Sequence, residues 1–228
     1  MNDLLERLQQ QNLVWHATAS VGKPAQGVFS SGFIELDKRL DGGFPQGVNE
    51  IQSVCGIGEL RLLLPVFQQA MTEQRLVVLI NPLAMLCSEA LTTSGLELDK
   101  FLLVSPETDS DALWAAEQCL RSGACYSLVM WSQQPLAVHQ IKRLQLACEA
   151  GNSLLFILRE SKAESIALPL DLSLSLSAHE QGLSARINKR KRGWPSSSFT
   201  INMSSDWPTL TIARAPDNVI EFPQIKAG

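Results

Sequence analysis

The stretch Gly42-Gly43-Phe44-Pro45-Gln46-Gly47-Val48-Asn49-Glu50-Ile51-Gln52-Ser53, continued by Val54-Cys55-Gly56-Ile57-Gly58-Glu59-Leu60, decides the fold. Glycines punctuate both sides of a short strand predicted over Val48 to Ser53. Beyond the second glycine pair, Leu60, Leu63, Leu64, Phe67 and Met71 recur at helical spacing, which predicts a helix from Glu59 to Thr72. Pro65 lies inside that helix and is expected to kink it. Strand, tight glycine turn and helix form the opening unit of an α/β sheet.

The same alternation continues along the chain. Leu76 to Ile80 is a continuous apolar run, as expected of a strand buried on both faces of a parallel sheet. Residues 84–94 read as a helix and Phe101 to Val104 as a strand. Thr108 to Asp111 offers a capping-box start for a helix striped by Ala112, Leu113, Ala116, Cys119 and Leu120 and ended by Gly123. Ser127 to Trp131 and Leu154 to Leu158 are strands. Between them Ala137, Ile141, Leu144 and Cys148 stripe a helix ended by Gly151. The pattern then switches to period two. Leu170, Leu172, Leu174 and Leu176 alternate with polar residues, a His179-Glu180-Gln181-Gly182 turn follows, and Leu183, Ala185 and Ile187 alternate again, which predicts an antiparallel hairpin. Ser198 to Met203 and Thr209 to Ala213 could add two strands. Four regions follow: residues 1–29, an amphipathic helix carrying Leu4, Leu5, Leu8 and Leu13, with a linker over 17–28; a core over 30–178; a hairpin extension over 179–215; and a tail over 216–228.

Composition excludes several classes. Apolar residues make up 45% of the 228, enough for a real core. The net charge of −4 does not suit a polycation that coats nucleic acid. The five cysteines are scattered without a C-x-x-C pair, and His16, His139 and His179 have no ligand-spaced neighbours. Neither a disulfide framework nor a metal site is expected, and a reducing cytoplasm is. Asp3 and Glu6 do not suit a signal peptide, and Leu76 to Leu86, broken by Asn81 and Pro82, is too short to span a bilayer.

Collinear pieces of the chain resemble the RecA ATPase core over about residues 30–210: Ser31-Gly32-Phe33-Ile34-Glu35-Leu36-Asp37-Lys38-Arg39-Leu40, the glycine turn with Glu50-Ile51, Gly95-Leu96-Glu97-Leu98-Asp99, and Leu120-Arg121-Ser122-Gly123-Ala124. Within that superfamily, Gly56 to Pro65, Ala112 to Gln118, and Arg143 to Ala147 with Glu149 to Asn152 look like ImuA, which accompanies ImuB and a DnaE-type polymerase in SOS-induced translesion synthesis. A shortened version of the central part also looks like SulA, the SOS inhibitor of the division protein FtsZ. The resemblance implies a RecA-like, degenerate P-loop α/β core, with a mostly parallel sheet, helices on both faces and the C-terminal antiparallel hairpin.

The resemblance also implies a dismantled nucleotide site. A P-loop reads G-x-x-x-x-G-K-[ST], with backbone N–H groups around phosphate, the lysine on the β/γ oxygens and the hydroxyl on magnesium. In register, Ser53 replaces the first glycine, Gly58 keeps the second, Glu59 stands at the lysine and Leu60 at the hydroxyl. The acid that activates water falls on Leu83 and the Walker B aspartate on Trp131. Glu59 would set an anion beside a triphosphate, and a unit charge at about 4 Å is worth roughly 4 kcal/mol at an effective dielectric near 20. No cofactor and no catalysis are expected. The alternative for Gly56 and Gly58 is a plain strand-to-helix turn whose helix N-terminus could still hold a stray anion.

Asn188-Lys189-Arg190-Lys191-Arg192-Gly193-Trp194-Pro195 is the one concentrated basic segment. It reads as a solvated hairpin edge, as a phosphate contact to DNA with Trp194 or Trp207 stacking on a base, or, from the resemblance, as lysines 189 and 191 reaching the ATP of an adjacent RecA protomer. The N-terminal stripe of Leu4, Leu5 and Leu8 matches a RecA region that packs between protomers, so it reads as an assembly element or as a helix folded back on its own core. The leading expectation is a translesion accessory protein contacting RecA, ImuB or the DnaE-type polymerase, cytoplasmic and nucleoid-associated at damaged DNA. A weak DNA contact and a homo-oligomer stay open. The other expectation is a SulA-like division inhibitor binding FtsZ. Residues 1–50 and the basic hairpin, which a SulA-like chain lacks, favour the first.

Overall fold

The computed structural model describes residues 27–205 and Trp207, apart from residues 84, 85, 133, 135, 161–167 and 192. The predicted N-terminal helix with Leu4, Leu5 and Leu8, the strand over Thr209 to Ala213, the tail and Arg192 lie outside the described residues.

Ten strands are described. β1 (Val28–Phe29) and β2 (Phe44–Pro45) form a small antiparallel pair. β3 (Gly47–Gln52), β4 (Leu76–Ile80), β5 (Phe101–Val104), β6 (Cys125–Trp131), β7 (Leu154–Arg159), β8 (Leu172–His179), β9 (Gly182–Arg190) and β10 (Phe199–Asn202) form one sheet in the order β10-β9-β8-β3-β7-β6-β4-β5. The strands from β8 to β5 in that order are parallel; β9 runs antiparallel to β8 and to β10. The hairpin thus continues the parallel sheet. Five α-helices accompany it: α1 (Ile34–Arg39), α2 (Leu64–Thr72), α3 (Ser88–Thr93), α4 (Asp109–Arg121) and α5 (Val138–Gly151).

The burial pattern explains the layers. Every residue of β6 is buried, because both faces of that strand are covered. On one face Ile51, Val77, Leu79, Val129 and Phe156 pack with Leu36 of α1 and Val66, Phe67 and Ala70 of α2. On the other face Val78, Ile80, Leu128, Leu155 and Ile157 pack with Ala112, Ala116 and Leu120 of α4 and Ile141 and Leu144 of α5. The stripes seen in sequence are therefore the sheet-facing stripes, except that Ala137 is exposed and caps α5 from outside it. The result is a mixed α/β fold with a mostly parallel sheet.

Several local expectations need correction. Pro65 does not kink a helix. A 3₁₀ turn, Arg61–Leu63, comes first, and Pro65 sits in the first turn of α2, where its missing N–H costs nothing. The helix expected over 84–94 is only Ser88–Thr93 among the described residues. The expected linker ends early, because Val28 already pairs with Pro45. Thr108 caps α4 as expected: its hydroxyl oxygen accepts from the Asp111 N–H at 3.2 Å.

Gly151 was expected just beyond the end of its helix, but it belongs to α5. Asn152 takes the left-handed position, at φ 47°. Gly151 is needed for another reason: a Cβ there would lie 1.8 Å from the Leu120 carbonyl oxygen, at the end of α4. Arg75 closes the same corner, its guanidinium donating to the carbonyls of Gly123, Cys125, Gly151 and Asn152. Three of these carbonyls, of Gly123, Gly151 and Asn152, lie at two helix ends without helical partners, and the fourth begins β6. Gly151→Ala is expected to destabilise by about 3 kcal/mol, the upper part of the usual overpacking cost, because the atom it meets is backbone. Urea unfolding measures this; a loss under about 1 kcal/mol would show that the corner can open.

Candidate functional site

The carboxyl ends of parallel strands are where open α/β sheets place their sites, and β3, β4, β6 and β7 end together here. Four of the residues marked in the sequence meet there. Ser53 follows β3, Leu83 follows β4, Trp131 ends β6, and Glu59 lies on the turn into α2. Together with Cys55, Leu158, Arg159 and Glu160 they line one cleft. Leu60 packs partly buried against the core beneath it, and Gly58 shapes the turn at φ 106°.

The cleft holds about 20 Å³. That is room for one water, and far less than a nucleoside triphosphate needs. Trp131 closes the floor, 8% exposed, whereas Leu83 stands at the rim, 49% exposed. Glu59 differs from expectation. Its carboxylate is turned back onto its own loop. The Gly56 N–H donates to both carboxylate oxygens, at 3.0 and 3.1 Å, and the Gly58 N–H donates to one at 3.1 Å. The side chain is 5% exposed. Two amides expected to be available to a stray anion are already bound to the protein's own carboxylate.

One feature at this end was missed in the sequence. Glu50, 2% exposed in the middle of β3, pairs with Arg159 at the end of β7, Nε to Oε1 at 3.1 Å. Its other oxygen accepts from the Ser173 hydroxyl at 2.7 Å and from Gln52 Nε2 at 2.8 Å. The available signal was an acid amid the apolar residues of a buried strand, a position that demands a partner.

Three cations of the basic segment, Lys189, Arg190 and Lys191, bond within the chain. Lys191 Nζ reaches the Asp171 carboxylate at 3.1 Å, and Lys189 donates to the Leu168 carbonyl. Arg190 pairs with Asp41 and donates to the Arg39 carbonyl. Asp171 is itself buried, and also accepts from the Val48 N–H at 2.9 Å and Gln145 Nε2 at 2.7 Å. Lysines 189 and 191 therefore brace the sheet at β8 and β9. Trp194 is 87% exposed, while Trp207 packs partly buried against the core. A second cavity, a groove of about 250 Å³ between α4 and α5, is lined by Leu113, Trp114, His139 and Arg143. Among the described residues no group of His, Cys, Asp and Glu could hold a metal ion, and no helix is long and apolar enough to cross a membrane.

The thiols differ in reactivity. Cys55 and Cys87 are exposed, while Cys125 and Cys148 are buried. Burial, with a smaller contribution from Asp171, pushes the Cys148 thiol up to about 12 from its ordinary 9.0, and burial raises Cys125 as well. A thiol reagent at mildly alkaline pH is expected to label Cys55 and Cys87 in the native protein, and Cys125 and Cys148 only after denaturation. The raised thiols stay neutral when folded and ionise more readily when unfolded. Their contribution to stability is full below 9.0 and declines as pH rises from there towards about 12. Urea midpoints at neutral pH and near pH 10 check this; a midpoint unchanged between them would refute it.

The cleft is closed by the chain's own side chains, and comparison with known proteins places the chain in a family. The family model of the cell division inhibitor SulA matches residues 52–155. SulA of Photorhabdus laumondii is 35% identical over 99 residues, 43% of this chain and 55% of that protein. SulA of Pectobacterium atrosepticum is 31% identical over 115 residues, 50% of this chain and 68% of that protein. The crystal structure of SulA from Pseudomonas aeruginosa aligns at 28% identity with a TM-score of 0.41, covering 50% of this chain and 98% of that one. The chain belongs to the SulA family, although it spans little more than half the length of the Photorhabdus relative.

This overturns the leading expectation from sequence. The matched proteins are division inhibitors, so the translesion role, with RecA, ImuB and the DnaE-type polymerase as partners and a place at the nucleoid, is withdrawn. Residues 1–50 and the basic hairpin had favoured it. The family match lies between them, from the end of β3 to the start of β7, and is unaffected by what flanks it.

Proposed function

We propose that this chain is a non-enzymatic cytoplasmic inhibitor of cell division that binds the division protein FtsZ. The observation that carries the reading is the SulA match over residues 52–155, the segment that supplies Ser53, Cys55, Glu59, Leu83 and Trp131 to the cleft. We read the core as a degenerate P-loop fold. The β3-to-α2 turn keeps Gly58 at the second glycine position of a phosphate loop, and the Gly56 and Gly58 N–H groups point inward onto a glutamate side chain in place of a ligand. A fold that has lost a chemistry keeps its surfaces, and these are what an inhibitor uses.

The test is direct. Purified protein is added to FtsZ with GTP and polymer is sedimented. Loss of pelleted polymer in proportion to added protein is expected, along with filamentous growth of cells that express the chain. Undiminished polymer together with normal division would end the proposal. Titration with ATP in a calorimeter is expected to give no binding heat, and micromolar binding would show that the nucleotide site still works.

A further inference from the structure

We propose that the Glu59 carboxylate is a resident anion: it takes the place of the phosphate that a loop of this shape otherwise binds, and so holds the β3-to-α2 loop in one conformation without any nucleotide. The consequence for partner binding rests on the division-inhibitor reading; the state of the loop does not.

The geometry is that of an anion in its site. Gly56 and Gly58, at φ 87° and 106°, occupy a conformation that other L-residues rarely adopt, and it turns their N–H groups inward. Both N–H groups converge on one carboxylate, at 3.0 and 3.1 Å from Gly56 and 3.1 Å from Gly58. A carboxylate is acceptor-only, as a phosphate edge is, and hydrogen bonds to a charged acceptor are the strong kind. At 5% exposure the group is shielded from competition by water.

The tether matters as much as the charge. Glu59 is three residues from Gly56 and adjacent to Gly58, so the anion is always present at very high effective concentration. A free nucleotide would have to displace it. The loop that it fixes also carries Val54, 67% exposed, and the exposed Cys55, beside the half-exposed Leu83. This small apolar surface at the carboxyl end of the sheet is therefore shaped in advance, which lowers the ordering cost of any protein contact made there.

The test uses the whole chain as wild type, Glu59→Ala and Glu59→Gln, each in sodium phosphate and in sodium chloride of matched ionic strength. Hydrogen exchange of the Gly56 and Gly58 amides is read by NMR. In chloride, Glu59→Ala should exchange these amides at least about tenfold faster than wild type, the equivalent of one hydrogen bond to a charged group. Millimolar phosphate should restore their protection in Glu59→Ala and leave wild type unchanged. Glu59→Gln, which keeps the volume and one acceptor oxygen without the charge, should fall between them and ignore phosphate. Equal protection in wild type and Glu59→Ala, or loss of protection that phosphate does not recover, overturns the proposal. If Glu59→Ala folds only in phosphate, that supports it; if phosphate does not rescue its folding, that overturns it. None of these readings involves FtsZ, so their failure would leave the division-inhibitor reading standing, and failure of the sedimentation test would leave the resident anion standing.

Discussion

Arg159→Ala is expected to lower the unfolding free energy by about 3–5 kcal/mol, the usual result of removing one partner from a buried ion pair. Glu50 is held on β3 by pairing with β7 on one side and β8 on the other, and the strands leave it 2% exposed. Without Arg159 it keeps the hydrogen bonds from Ser173 and Gln52 but loses the guanidinium at 3.1 Å. An ionised carboxylate cannot reach water from that position, so the burial cost falls on the folded state alone. The double variant Glu50→Leu with Arg159→Met should recover most of the loss, because an apolar pair of similar volume removes the charge and its partner together. Urea unfolding of the three variants measures both effects. A loss below about 1 kcal/mol in Arg159→Ala would mean that the arginine contributes no more than a surface ion pair does.

Phe156→Ala is expected to cost about 3–5 kcal/mol, the range for emptying an aromatic site in a core. Phe156 is fully buried in β7, between β3 and β6, and meets Phe44 edge to face with ring centroids 4.9 Å apart at 81°. Phe44 begins the short β2 strand that pairs with β1. The substitution therefore removes apolar burial, the aromatic pair, worth about 0.5–1.5 kcal/mol, and the support under the β1–β2 pair. Sheet positions on both sides are held by parallel strands, so collapse into the space is limited and the cost should lie high in the range. Thermal and urea unfolding together would show it. A loss under about 1.5 kcal/mol would mean that neighbouring side chains fill the cavity.

Legibility from the sequence followed the distance over which each feature is decided. β5 occupies Phe101–Val104, the residues that the apolar run marked, and β4 likewise Leu76–Ile80. The Thr108 cap was readable because a hydroxyl three residues before an amide can reach it wherever the helix lies. Pro65 was misread because the same residue that breaks a helix interior is well suited to its first turn. Gly151 was misread because two helices approach there, and no local pattern records that approach.

The candidate site divides in the same way. Ser53 and Glu59, six residues apart, line one cleft with Leu83 and Trp131 from later strands. The role of Glu59 did not follow from register. Residue type established that an anion stood at that position; only the curl of the backbone showed the carboxylate held by two amides. For the basic segment, composition showed the positive charge but not where it is neutralised, since Asp171 lies on the entry to β8 and Asp41 beyond α1. The family, in turn, was decided by residues 52–155, and the flanks misled because their presence was given more weight than the match in the core.

The sequence by itself determined the alternation of strand and helix, the change to a hairpin after β7, and the placing of an acid, Glu59, directly after the glycine turn that follows β3. Each of these is written in side-chain period or residue identity within a few neighbours. Only the tertiary structure decided what the charged groups do: Glu59 seated on its own loop, Glu50 locked to Arg159, and lysines 189 and 191 bracing β8 and β9. A charge acts through whatever lies within a few ångströms of it. In a parallel sheet those neighbours come from strands far apart in the chain, so their identity depends on strand order, which local pattern does not encode.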